Sequence, residues 1–229
     1  MAETLQGYDT ALMLWLNGFH NYFFDCLMFL ISNKMVWVPM YLTLFYIVVT
    51  RCGWKKAAVG VALFAVTIAL ADGICAEIIR PLLQRPRPSR DDSGISTLIH
   101  IVNGYRGGHY GLPSCHAANS FALLTLIHLY FRHRTLTIFM TVWACLHSYS
   151  RIYLGVHYPG DILLGGLVGS LLAFLVFKAF SLSMKDSLER PHANPAIMAY
   201  VGCLTFAIIF VASIIATVTE RQSVLFDLL

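Results

Sequence analysis

The sequence is built from apolar runs too long for a small soluble core, separated by short polar joints. Ala57 to Leu83, Ile162 to Phe180 and Ile197 to Val218 each approach or exceed the length that crosses a bilayer as a helix, about 20 residues. Hydrophobic residues make up 58% of the chain and charged residues 12%, and the mean hydropathy is +0.68. Globular domains carry roughly twice that charged fraction. The composition therefore predicts an all-α membrane protein, with the lipid bilayer as its first partner.

His116 to Phe131 and Leu136 to Tyr149 read as two further spans. Tyr22 to Ser32, too short to cross alone, is interrupted by Ser32-Asn33-Lys34 before Val36 to Thr50. This pair reads either as an interfacial helix followed by a span or as one long tilted helix. The sum is a bundle of about six transmembrane helices in one integral-membrane domain, 1–229, with a catalytic core at about 57–180. Ahead of the bundle, Asp9 as N-cap, apolar residues at helical spacing and an Asn17-Gly18 stop predict an amphipathic helix lying in the interface. The N-terminus lacks the basic start and small-residue cleavage site of a signal peptide, which leaves insertion to the spans.

The net charge of +4 comes from basic residues dispersed at the ends of apolar runs rather than gathered on one face, which argues against nucleic acid. Cys26, Cys52, Cys75, Cys115, Cys145 and Cys203 lie far apart with no C-x-x-C pair, as small core residues do. Trp15, Trp37 and Trp54 near predicted interfaces fit an aromatic belt.

Counting spans has a consequence for the polar residues. The end of the second span, the start of the third, the end of the fourth and the start of the fifth must face one side of the membrane. Arg80 to Arg90, Pro113 to His116, Ser150-Arg151, and His157 with Asp161 sit at those four ends. Short loops on the opposite side hold Arg51, Lys55, Lys56, Arg132, Arg134, Lys178, Lys185 and Arg190. The positive-inside rule puts these loops in the cytoplasm and the polar cluster on the periplasmic or exterior face, as in a multi-pass protein of a bacterial inner membrane.

Charge at a membrane edge is costly and marks function. Arg80, Arg87 and Arg151 present planar forks suited to a tetrahedral oxyanion such as phosphate. His116 and His157 add nucleophilic or acid-base capacity near neutral pH. Ser114 can donate to a phosphate oxygen, and the amides near Cys115 and His116 form a helix-terminus anion site. Three arginines would repel a divalent cation, and no H-x-x-x-H or paired cysteines occur, so neither metal nor cofactor is expected.

Arg80 followed after six residues by Arg87-Pro88, then Pro113-Ser114-Cys115-His116, then Ser150-Arg151 with five residues before His157 and three more before Asp161, resembles the three-part signature of the type 2 phosphatidic acid phosphatase superfamily. The resemblance covers the second to the fifth span. It implies a membrane lipid phosphate phosphatase in which His157 attacks phosphorus, Asp161 holds its tautomer, and His116 protonates the leaving oxygen and then activates water. Arg80, Arg87, Ser114, Arg151 and the amides at Cys115 would bind the phosphate. The chain departs from the family pattern at Arg80, where lysine is usual, and at Cys115, where glycine is usual.

The implied substrate is a phosphorylated membrane lipid: a lipid A phosphate, undecaprenyl pyrophosphate, phosphatidylglycerol phosphate or phosphatidic acid. A lipid-linked phosphotransferase using the same phosphohistidine, and a membrane anion transporter, are the competing readings. Glu77, three residues before Arg80, is spaced for an intrahelical ion pair, with Asp72 a second polar group in that span. Arg85, Arg90 and Arg106 serve either a polyanionic headgroup or loop solubility. His109 and Tyr110 read as solvated, and His147 as a satisfied polar residue within the fourth span.

Overall fold

The computed structural model describes residues 2–50, 54–183, 194–219 and 226. Its helices are α1 (Ala2–Asn17), α2 (Tyr22–Ser32), α3 (Val38–Val49), α4 (Trp54–Gly73), α5 (Arg80–Leu83), α6 (Cys115–Phe131), α7 (Arg134–Tyr153), α8 (Pro159–Ser183) and α9 (Ala196–Val218). Expectations placed on Arg51, Cys52, Lys185 and Arg190 fall outside the described residues, as does the side chain of Trp54.

Among the described residues, three helical rods are long and apolar enough to cross a bilayer: Lys55–Leu83, Pro159–Leu182 and Ala196–Val218. The first joins α4 to α5 through a π-helical turn at Ile74–Ile79. Tyr22–Ser32 and Lys34–Val49 meet the same standard only together, and they are bent by 64°. Asn33 makes the bend: its backbone is extended, its side chain accepts from the Met35 amide at 2.8 Å, and Pro39 opens the next helix. A single long tilted helix is thereby ruled out.

Helix α6, at 17 residues, and α7 fall short of that standard of length and apolarity, so the expected six spans rest on these two. Both bury extended faces inside the bundle, where packing partners replace lipid. The outer helices show the reverse pattern. On α8, Leu163, Leu167 and Leu171 form an exposed row at four-residue spacing, while the opposite face is Gly165, Gly169 and Ala173. A β-carbon on Gly165 or Gly169 would collide with the carbonyl oxygens of Ser114 and Ala118. Small residues thus let α6 and α8 pack backbone to backbone, as in other membrane helix pairs.

Two local expectations are corrected. Helix α1 starts at Ala2, because strong helix formers precede Asp9; Asp9 is mid-helix and not its N-cap. Trp37 belongs to the core and not to an aromatic belt: it is fully buried, donates from Nε1 to the Ile31 carbonyl at 2.9 Å, and packs edge-on to Trp143 and Phe206. Trp15 is 61% exposed beside Phe19, as an interfacial residue would be.

Candidate active site

The long segment 84–113 is tied down at both ends of its course. Arg87 N–H donates to the His109 carbonyl at 3.1 Å and Gly111 N–H to the Arg85 carbonyl at 2.9 Å, pairing Pro86 with Tyr110 in antiparallel fashion. Pro86 and Pro88 restrict the backbone around Arg87 and hold it extended. Its side chain is consequently carried inward, leaving the residue 6% exposed. The guanidinium donates from Nε to the Tyr110 carbonyl at 3.1 Å and from Nη1 to the Val156 carbonyl at 3.2 Å. Nη1 also lies 3.0 Å from Nε2 of His157. Burial first, then the charges of Arg80 and Arg151, bring the Arg87 pKa down to about 10, which leaves it a cation at neutral pH.

His157 stands in the turn between α7 and α8. Its Nδ1 is 3.2 Å from Oδ2 of Asp161, in the first turn of α8, and the same oxygen accepts the Tyr158 amide at 3.0 Å. A carboxylate on one ring nitrogen and a guanidinium on the other assign the tautomer: Nδ1 carries the proton and Nε2 keeps its lone pair. Burial, followed by Arg87, Arg151 and Arg80, holds the His157 pKa well below its ordinary value, so the ring is neutral near pH 7. Gly111 lies against this pair; a β-carbon there would sit 2.9 Å from Asp161 Oδ2 and 3.5 Å from His157 Nδ1.

Ser114 caps α6, its Oγ accepting the Ala117 amide at 3.4 Å, and its own amide donates to the main-chain carbonyl of Asp161 at 3.0 Å. Arg80 reaches the same helix start, donating from Nη2 to the Pro113 carbonyl at 3.0 Å and to Cys115 Sγ at 2.9 Å. The π-helical turn just before it shifts the helical phase, and Glu77 is exposed, so Arg80 is oriented by the start of α6 and not by the anticipated ion pair.

Arg151, 3% exposed at the end of α7, donates to Ser32 Oγ and, at 3.1 Å, to the Tyr105 hydroxyl. Burial raises the Tyr105 pKa, but the charge and hydrogen bond of Arg151, with help from Arg87, outweigh it and leave the phenol below its ordinary value. The His116 ring stacks on His147 at 5.7 Å, and His147 stacks on Trp143 at 5.1 Å. Ser120 Oγ lies 3.0 Å from His147 Nδ1 and fixes the middle ring.

Cys115, His116, Arg151, Tyr105 and Lys34 are among the polar residues that line a cavity of about 1090 Å³. Its other walls are largely apolar, including Phe29, Leu44, Phe64, Ile68 and Leu123. The polar pair Asp72 and Asn119, joined at 3.0 Å, also lines it. Such a space, lined by both polar and apolar side chains, suits an amphiphile. Among the described residues no group of three His, Cys, Asp or Glu side chains is placed to hold a metal ion.

The family model of the PAP2 superfamily matches residues 60–185, more than half of the sequence. The chain belongs to the PAP2 superfamily. The protein is accordingly a membrane lipid phosphatase. It is 42% identical over 223 residues to the lipid A 4′-phosphatase of Bacteroides thetaiotaomicron, covering 94% of this chain and 99% of that protein. It is 33% identical over 174 residues to the lipid A 4′-phosphatase of Porphyromonas gingivalis, covering 75% and 72% respectively. Its fold is similar to the transmembrane PAP2-type phosphatidylglycerolphosphate phosphatase of Bacillus subtilis, with a TM-score of 0.59 at 21% identity, over 79% of this chain and 88% of that one.

Within this PAP2 fold the residues singled out by spacing stand at one end of the bundle. Arg87, His157, Asp161 and Ser114 form one bonded chain; Arg80 joins it through Cys115, and Arg151 and His116 line the same cavity. Sequence reasoning overlooked Ser32 and Tyr105 as partners of Arg151, and Asp9 as a neighbour of the site. It left Arg85 between two readings. Arg85 in fact pairs with Asp161 Oδ1 at 3.1 Å, for which the repeated Arg-Pro of residues 85–88 was the available signal. His147, read as a bystander, is stacked on His116.

Proposed function

We propose that this PAP2 enzyme hydrolyses the 4′-phosphate of lipid A or a closely related phosphoglycolipid, at the periplasmic face of a bacterial inner membrane, through a phosphohistidine and without a metal ion. The observation that carries the chemistry is His157 itself. It is neutral, buried, and held with Nε2 unprotonated between Asp161 and Arg87. A nucleophile needs its lone pair free of a proton and directed at the electrophile.

In the first step Nε2 forms a bond to phosphorus as the bond from phosphorus to the lipid oxygen breaks, and His116, protonated in the company of the anionic phosphate, gives its proton to that oxygen. In the second, His116 takes a proton from water, the hydroxide forms the new P–O bond, and the N–P bond breaks to return His157 and release phosphate. Arg87, Arg80, Arg151 and the amides at the start of α6 carry the charge on the equatorial oxygens, the task assigned to cations in phosphoryl transfer generally. A phosphoryl group arriving at His157 exchanges the Arg87–Nε2 contact for contacts between Arg87 and phosphate oxygens.

The substrate class is supported by the 42% identical relative, matched over nearly its whole length, and by the amphiphilic cavity beside His116. Lys55, Lys56, Arg132 and Arg134 lie at the helix ends opposite the site, which favours an outward-facing site by the positive-inside rule.

The test is phosphate release by purified protein in vesicles from lipid A carrying the 4′-phosphate, phosphatidylglycerol phosphate, undecaprenyl pyrophosphate and phosphatidic acid, each with EDTA. Lipid A should lose its 4′-phosphate fastest and EDTA should change nothing. His157→Ala should be inactive while folded; if it still releases phosphate, the mechanism is wrong. A different preferred lipid would overturn the substrate and leave the mechanism standing.

A further inference from the structure

Helix α1 lies against the catalytic end with two unlike faces. Leu5, Tyr8, Leu12 and Trp15 are exposed, a row at helical spacing for the membrane interface. Asp9, Met13 and Asn17, four residues apart, face the protein. Met13 is fully buried in a small cluster with Ile99, Ile152 and Tyr158. Asn17 is 2% exposed; its Nδ2 donates to the carbonyls of His100, Ile152 and Tyr153, and its Oδ1 accepts the His100 amide at 2.7 Å. The docking of α1 therefore does not depend on Asp9.

Asp9 makes a different kind of contact. Its Oδ1 accepts the Gly160 amide at 2.8 Å, and its Oδ2 is 2.7 Å from Nη1 of Arg85. The same Nη1 is 3.1 Å from Oδ1 of Asp161, and the guanidinium carbon lies over the Tyr158 ring, 3.8 Å from its centroid. Gly160 has no side chain where one is forbidden, since a β-carbon there would come within 2.8 Å of Asp9. A line of contacts thus runs from α1 to the ring that faces phosphorus: Asp9, Arg85, Asp161, His157.

We propose that Arg85 and Asp9 are positioning residues for the His157–Asp161 pair, with the interfacial helix α1 supplying the outermost member. This rests on the reading of His157 and Asp161 given above. Arg85 occupies Oδ1 of Asp161, so that Oδ2 alone faces His157, and its charge keeps the carboxylate ionised. The charged or titratable groups facing Asp161 are Arg85 and Arg87 from the segment before α6, and His157 and Tyr158 from the turn before α8. Asp9 stands behind Arg85. The contacts that Arg85 makes, through Nη1 and its guanidinium carbon, go to Asp161, Asp9 and the Tyr158 ring, which argues for a place behind the pair rather than in the phosphate cradle.

The sign of its effect follows from charge. The active form of the pair is neutral His157 with ionised Asp161, and a proton added to either one stops it. Arg85 repels that proton. Removing Arg85 raises the proton affinity of the pair taken as a unit, whichever member binds it, and moves the acid limb of the rate profile to higher pH.

The experiment compares wild type, Arg85→Ala, Arg85→Lys, Asp9→Ala, the double variant and His157→Ala on lipid A 4′-phosphate and on phosphatidic acid, with kcat and KM followed from pH 5 to 9. Arg85→Ala should lower kcat about tenfold, leave KM within about twofold, and shift the acid limb up by about one unit. Arg85→Lys should recover part of both changes. Asp9→Ala should lower kcat about threefold alone and have no further effect in the Arg85→Ala background, as expected for residues acting in series. Additive losses, a rise in KM with an unmoved acid limb, or an unchanged Arg85→Ala enzyme would each overturn the proposal. Should Arg85→Ala fail to fold, Arg85→Lys and Asp9→Ala carry the same readouts. Activity retained by His157→Ala instead defeats the underlying mechanism, a result separable from the others.

Discussion

Nη1 of Arg87 stands 3.0 Å from Nε2 of His157 and presents a cation to the imidazole lone pair. The contact does two things at once. It keeps a proton off Nε2, and in the proposed mechanism it places the guanidinium where an oxygen on phosphorus must come when Nε2 attacks. Arg87→Ala should lower kcat/KM by about 10²- to 10³-fold, the scale of losing one charged donor to a developing oxyanion. Arg87→Lys, which cannot form the fork, should recover little of it. Steady-state phosphate release from vesicles checks both.

His157 also predicts how stability responds to acid. In the unfolded chain a histidine takes up a proton below about pH 6.5, whereas folded His157 resists it. The unfolded state then binds more protons, so native stability falls as pH drops through 6.5 toward the depressed folded value. The loss from this residue grows as pH falls below 6.5. The thermal midpoint of detergent-solubilised wild type should fall more steeply between pH 7.5 and 5.5 than that of His157→Gln.

The stacked rings of Trp143, His147 and His116 carry a third expectation. If His147 holds His116 at the angle needed to protonate the leaving oxygen, His147→Ala should cost about 3- to 10-fold in kcat, and His147→Phe less. The loss should grow as the leaving group becomes more basic, since only such substrates need a well-placed acid. A series of phosphate esters of graded leaving-group pKa measures that slope.

A fourth concerns the α6–α8 seam. Gly169→Val adds a side chain where even a β-carbon meets the Ala118 carbonyl. Separating these helices displaces Ser114 from Asp161, so the variant should lose folded protein at 37 °C, or its activity where it survives. Leu167→Val, on the exposed face of the same helix, should do neither. Size-exclusion profiles and phosphate release report the two outcomes.

The polar cluster was legible because span parity is simple: helix ends that face one side of a membrane can meet, and residues 80, 87, 114, 116, 151, 157 and 161 all lie at such ends. What could not be read were contacts between distant segments whose residues have ordinary local explanations. Asp9 looks like a helix cap until the helix is seen to start at Ala2, and its tie to Gly160 spans 151 residues. Glu77 and Arg80 look like a pair only in an uninterrupted α-helix, and the π-helical turn at Ile74–Ile79 removes that premise. Trp37 looks interfacial because it lies beside Lys34, whereas the 64° bend at Asn33 turns its ring into the core. In each case the local pattern was sound and a break in regular helix, or a tertiary partner, decided otherwise.

The glycines that seat α8 on α6 do more than bring two helices together. They set Ser114 and Asp161 in register by main-chain contact, without relying on any adaptable side chain. The Ser114–Asp161 contact is therefore indexed to the backbone, while much of the cavity wall comes from other helices, on both sides of the bend at Asn33 and along α4, with Leu123 a member from α6. Changes there can alter which amphiphile is admitted while the spacing of His157, Asp161 and the start of α6 stays fixed. A chain organised this way can acquire new substrates by drift in its lipid-facing parts and keep one chemistry throughout.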